Sequence, residues 1–165
     1  MTEIHKDIVD ELLKQWAEER PGIDVSALGI VVRIQMLAKL LQKRTTQALK
    51  SHGLKHWEYD VLTVLRRQGK PFEMPATEIA EQALLTSGAM TTRIDGLEER
   101  GLVARRRSKS DRRSMLIRLT RSGLDVVDDA IESRVRDSED VLAGIPAERL
   151  DELSSALREL MLASS

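Results

Sequence analysis

The chain has 165 residues, 41% hydrophobic and 32% charged, which suits one globular domain with a real core and excludes a disordered tail. It has no cysteine, so disulfides, thiolate catalysis and cysteine-ligated zinc are excluded. Its 26 basic and 27 acidic residues nearly cancel, but residues 104–121 alone carry a net of +7, leaving −8 for the rest of a chain of net −1. No apolar run approaches the roughly 20 residues that cross a bilayer. The acidic, amphipathic start "MTEIHKDIVDELLKQW" is neither a secretory signal nor a transit peptide, so a cytoplasmic location is expected.

Taken in chain order, Ile4, Ile8, Val9, Leu12, Leu13 and Trp16 follow helical spacing, and Pro21 and Gly22 stop that helix. "SALGIVVRIQMLAKLLQKRTTQALKSHG" predicts a long helix with Leu28, Val32, Met36, Leu40 and Leu41 on a broad stripe, closed by Gly53. That stripe exceeds what a small domain covers by itself and points to a partner helix. "HWEYDVLTVLRRQG" predicts a short helix with Glu58 and Asp60 near its positive end. "KPFEMP" reads as a turn or edge segment and "ATEIAEQAL" as another short helix. "LLTSGAMTTRIDGLEERG" follows as a helix, capped by Thr86 or Ser87 and ended by Gly101.

"LVARRR" and "SMLIRLT" predict two strands, with Leu102, Met115, Ile117 and Leu119 as their alternating apolar positions and "SKSDRR" as the connection. Thr120 or Ser122 starts a long helix in which Leu124, Val127, Ile131, Val135 and Leu142 recur. After "GIPAE", Leu150, Leu153, Leu157 and Leu160 mark the last helix at a/d spacing. The expected architecture is mainly α with a small β-hairpin wing: a winged helix-turn-helix domain plus a helical dimerisation platform built from both termini. Residues 1–55 would supply dimerisation helices and a ligand-site wall, 56–121 the winged helix-turn-helix lobe, and 122–165 further dimerisation helices.

The chemistry concentrates in the fifth helix and the hairpin. Met90, Ile94 and Leu97 fall on one side of "TSGAMTTRIDGLEER", leaving Ser87, Gly88, Ala89, Thr91, Thr92 and Arg93 near its start on the others. Small residues permit close approach to a major groove, hydroxyls reach phosphates and base edges, and an arginine can pair with guanine. Taken alone, the same pattern also describes an ordinary serine- and threonine-rich surface helix. The hairpin tips the balance towards DNA. Its eight basic side chains, Arg105, Arg106, Arg107, Lys109, Arg112, Arg113, Arg118 and Arg121, face one acid, Asp111, and an arginine-rich tip suits the negative potential of a narrow minor groove. From Leu124 onwards eleven acids oppose four arginines, so one basic patch sits on an otherwise acidic chain.

"LLTSGAMTTRIDGLEERGLVARRRSKSDRRSMLIRLTRSG" resembles the MarR family of dimeric winged-helix regulators, and the likeness extends over essentially the whole chain. Asp111 and Arg113 match that family's Asp-x-Arg wing signature; Leu119, Thr120 and Gly123 match its "LT..G". The resemblance implies a homodimer on double-stranded DNA, its wing contacts drawn from Arg107, Lys109, Arg112 and Arg113, with Asp111 aiming the arginines. A narrower likeness, carried by "QWAEERPGIDVSALGIVVRI", "EYDVLTVLRRQGKPFEMPATEI" and "GAMTTRIDGLEERG", is to the PecS/HucR branch. That branch adds an N-terminal helix and responds to urate. The matching ligand positions are Trp16, Asp60 and Arg93, which could supply a stacking face, an acceptor for ring N–H groups and a bidentate cation. Each also has a plainer reading: a hydrophobic anchor, a helix N-terminal acid and a DNA contact.

The function expected is therefore a repressor released from a pseudo-palindromic operator by a small anionic effector such as urate or a related purine. Two alternatives stand beside it: a phenolic effector, or a dimeric winged-helix scaffold that binds another protein. His52 and His56 have metal-ligand spacing, but Gly53 interrupts their helix and no third ligand is adjacent. With no glycine-rich phosphate loop and no catalytic triad motif, neither an enzyme nor a cofactor, metal or membrane partner is expected.

Overall fold

A computed structural model of the chain describes residues 6–82, 87–107 and 115–164, the side chains of 87–89 excepted. It contains α1 (Ile8–Glu19), α2 (Ser26–Lys50), α3 (His56–Arg67), β1 (Glu73–Pro75), α4 (Ala76–Gln82), α5 (Ser87–Glu99), β2 (Val103–Arg107), β3 (Met115–Leu119), α6 (Arg121–Leu142) and α7 (Ala147–Ala163). The backbone divides into two compact units, Met1–Thr45 and Thr46–Ser165.

In the first unit, Asp7 caps α1. Its carboxylate accepts the N–H groups of Val9 and Asp10, while Asp10 Oδ2 accepts the Asp7 N–H at 2.8 Å. Arg33 of α2 reaches across to both acids, with Nε and Nη2 each 2.8 Å from an Asp7 oxygen and Nη2 2.8 Å from Asp10 Oδ1. That guanidinium holds the Asp7 carboxyl at about 2, well below its usual 3.8. Val9 is buried, whereas Ile30, Val31, Leu37 and Leu40 of α2 are exposed.

The second unit holds the main core. α3 turns Val61, Leu62, Val64 and Leu65 inward, where they meet Leu49, Ile79, Met90, Ile94, Leu97, Ile117 and Val127. Burying each such side chain is worth about 1.5–3 kcal/mol. The expected hairpin is present, and a third strand joins it: β1 pairs antiparallel with β3, with Met74 opposite Ile117, giving the order β1-β3-β2. "EMP" is thus a true edge strand. Its Met74 enters the core while Pro75 ends the ladder. Met115 departs from its expected inward position. The hairpin outruns the core there, and the side chain is exposed.

Two turns end helices as their glycines predict. Gly101 (φ 69°) donates to Glu98 O at 2.8 Å while Leu102 donates to Leu97 O at 2.9 Å, and the same pair of bonds at Gly53 closes α2. Thr120 opens α6. Its hydroxyl accepts the Gly123 N–H at 2.9 Å and donates to Gly101 O at 2.7 Å, so one side chain joins the end of α5 to the start of α6. Gly123 is needed because α6 lies on the chain behind it: a Cβ there would stand 1.9 Å from Leu102 O. At the other end of the chain α7 buries none of its residues, and Leu153, Leu157, Leu160 and Met161 are exposed.

Candidate nucleic-acid interface

α5 is anchored by one face and by its end. Met90, Ile94 and Leu97 are buried, and beyond the helix Arg100 ties it to two other elements. Arg100 Nη1 lies 2.6 Å from Oε2 of Glu58, a carboxylate on α3 that is almost fully buried and also accepts the Lys55 N–H at 2.8 Å. Nη2 of the same arginine donates to Gly53 O at 2.9 Å. The ends of α2, α3 and α5 therefore meet at one guanidinium. On the outer side Thr91 and Thr92 are exposed, the placement a groove-reading helix requires. Ser87, Gly88 and Ala89 form the first turn of α5.

The basic stretch divides. Arg105 and Arg106, at the root of the wing, are committed to carboxylates of this chain. Arg105 Nη2 is 2.5 Å from Asp95 Oδ1, its Nη1 bonds Glu98 Oε2, and its backbone N–H donates to Glu98 Oε1 at 3.0 Å. Asp95 foremost, with Glu98, raises the pKa of the Arg105 guanidinium. Arg106 Nη2 pairs with Glu73 Oε1 at 3.0 Å, fastening β2 to β1 across the sheet. Arg121 pairs with Asp125 one turn on. Arg107 and Arg118, by contrast, stand exposed on β2 and β3. Lys109, Asp111, Arg112 and Arg113 lie outside the described residues, as does Thr86, so the wing signature itself has no described geometry.

Of the three expected ligand positions, one falls in the first unit and two in the second. Trp16 is half-exposed on α1 in the first unit. Asp60, hydrogen-bonded to His56 Nδ1 at 3.0 Å, lines an open cleft of about 510 Å³ together with Tyr59, Thr63, Val64, Arg67, Gln82 and Ile131. Burial pushes the Tyr59 hydroxyl pKa up, keeping it a neutral donor. Arg93 is not among the cleft's lining residues. Its guanidinium lies over the Trp57 ring, 5.4 Å from the centroid. Sequence reasoning passed over Tyr59, Arg67 and Gln82. The one available signal was helical spacing, since Tyr59, Asp60, Thr63 and Arg67 fall on neighbouring turns of α3. Among the described residues Arg67 pairs with no carboxylate, whereas its neighbour Arg66 is held by Asp128 at 2.6 Å and stacked over Phe72.

The MarR family model matches residues 52–114, the stretch holding α3, the helix-turn-helix and the wing strand β2. Over this stretch the chain is similar to the MarR family. It is 28% identical over 149 residues to the HTH-type transcriptional regulator PecS of Dickeya dadantii, a match that spans 90% of each chain. MarR proteins regulate transcription and are not enzymes. Among solved MarR structures, Sco3205 of Streptomyces coelicolor, determined in complex with DNA, superposes with a TM-score of 0.72 at 23% identity over 87% of this chain and 94% of its own. NadR, determined with 4-hydroxyphenylacetate, superposes with a TM-score of 0.63 at 20% identity over 79% of this chain and 91% of its own. Among the described residues no helix is long and apolar enough to cross a membrane, and no group of acids and histidines could hold a metal.

Proposed function

We propose that this protein is a MarR-family regulator that represses transcription in the cytoplasm by binding a pseudo-palindromic operator as a homodimer, and that a small anionic effector, urate first, releases it. The observation that carries the reading is exposure: Thr91 and Thr92 of α5 are open to solvent, as are Arg107 and Arg118 on the wing strands. Hydroxyls over base edges and phosphates with cations alongside are what a major groove and its flanking minor groove accept. Sco3205, of the same fold, binds DNA, which supports this docking. Ser87, Gly88, Ala89, Thr91, Thr92 and Arg93 would meet the major groove, and Arg107, Lys109, Arg112 and Arg113, aimed by Asp111, the minor groove. The exposed apolar faces of α2 and α7 support a two-fold dimer from residues 1–55 and 122–165, with half-sites roughly 10 bp apart.

Likeness to PecS over 149 residues, 90% of the chain, supports the urate-responsive branch, with Trp16, Asp60 and Arg93 as ligand positions. Effector and operator would then oppose each other reciprocally. One observation favours a phenolic carboxylate as a second reading: Arg67, the cation lining the Asp60 cleft, has no carboxylate partner among the described residues. NadR's complex with 4-hydroxyphenylacetate lends weight to that chemistry. The deciding experiment is a gel-shift titration on the DNA upstream of the protein's own gene, run with urate, with 4-hydroxyphenylacetate and with neither. Retarded complexes that urate disperses establish the proposal, and dispersal by the phenolic acid alone replaces the effector. Absence of any complex at low salt turns the protein into a scaffold for another protein.

A further inference from the structure

Arg105 is the first arginine of the basic stretch, yet it faces inward. Its guanidinium spans Asp95 and Glu98, two acids one turn apart on α5, and Glu98 also takes the backbone N–H of Arg105 on β2, the outer strand of the sheet. A single residue of the wing thus grips the DNA-facing helix through three hydrogen bonds, two of them between opposite charges, the strong class. Left alone, Asp95 and Glu98 would place two negative charges on a helix meant to approach phosphates.

We propose that Arg105 is a positioning residue of the DNA interface: it leaves the duplex untouched and fixes the angle between α5 and the wing, so that major-groove and minor-groove contacts fall at one spacing. This rests on the DNA-binding reading above. The planar fork is essential, since a lysine ammonium offers a point charge that cannot span both carboxylates in the same geometry. Arg106, bonded to Glu73 of β1, braces the sheet from the other side and makes the wing's root rigid.

The test compares Arg105→Ala and Arg105→Lys with the wild type on a duplex selected by the wild-type protein from a random pool, alongside amide exchange of the free protein. Both variants are expected to bind at least about tenfold more weakly, the worth of one charge-assisted hydrogen bond. The salt slope stays at the wild-type value, hydroxyl-radical protection is lost at the flanks but kept at the centre, and the β2 amides exchange faster. A slope that falls by about 0.9 in Arg105→Ala overturns the proposal, because it marks a phosphate contact. Arg105→Lys behaving as wild type overturns it too, since charge alone would then suffice. Asp95→Asn is expected to shift the same readouts in smaller measure, and is the variant to read if substitution at 105 prevents folding. If the wild type binds no duplex, the DNA-binding reading falls separately. The exchange comparison then decides Arg105: faster β2 exchange sustains the grip, and unchanged exchange refutes it.

Discussion

Gly123→Ala tests how α6 is seated. The added Cβ would sit 1.9 Å from Leu102 O, 2.9 Å from its carbonyl carbon and 3.2 Å from its Cα, whereas ordinary contact begins at 3.4 Å. These are backbone atoms, so no side-chain rotation relieves the clash; the first turn of α6 and the strand entrance must separate by about 1.5 Å, given that 3.4 Å limit. Separation strains the bonds that join them, Thr120 N–H to Leu102 O at 3.1 Å and the Thr120 hydroxyl to Gly101 O at 2.7 Å. Overpacking costs about 1–3 kcal/mol and each weakened bond about 1, while alanine's better helix propensity returns about 0.5–1. A net loss of about 3 kcal/mol is expected, or roughly 6–12 °C in melting temperature for a chain of this size. Guanidinium unfolding at fixed protomer concentration measures it. Gly144→Ala is the control, because a Cβ there meets nothing within 4 Å, and it should change stability by under about 0.5 kcal/mol. A Gly123→Ala protein as stable as the wild type would refute the close approach.

Four further expectations are open to measurement. Asp7 should titrate at about 2 by NMR, and Arg33→Gln should return it towards 3.8; because its folded pKa is depressed, its support of α1 is complete above about 4 and fades as pH falls towards 2, seen as faster amide exchange in α1. Arg113→Ala should weaken operator binding and shallow the salt slope by about one phosphate without lowering the melting temperature; an unchanged affinity removes the wing from the interface. Asp60→Ala should abolish urate-induced release while leaving operator affinity within about threefold, so a variant that urate still releases excludes Asp60 from the ligand site. Leu157→Glu, on the exposed face of α7, should convert a dimer to a monomer in light scattering, and a wild type that is already monomeric would sink the dimer proposal.

Much of the fold was legible because its signals are local. Gly101 and Thr120 announce a helix end and a helix start within a few residues, and Met90, Ile94 and Leu97 repeat at helical spacing. β1 was harder: three residues ending in proline carry too little pattern, and only the pairing of Met74 with Ile117 makes them a strand. The basic stretch was legible in composition, but the commitments of its individual arginines were not. Eight basic residues look alike in a string, yet Arg105 and Arg106 spend their charge on Asp95, Glu98 and Glu73, partners that only the fold brings near. Arg93 shows the same limit. Its stacking on Trp57 joins α5 to α3 across 36 positions of chain, and no motif encodes that meeting.

The fastening of α5 is lopsided. Asp95 and Glu98, in its rear half, and Arg100, just beyond its end, are tied to β2, α3 and the turn at Gly53, while Thr91 and Thr92 further forward are exposed. The helix is built like a key, with a shank clamped in the lock and a bit that can be recut. Randomising 91 and 92 while keeping those three charges should therefore yield proteins that fold as the wild type does, and under the proposed DNA-binding role those proteins would read new addresses.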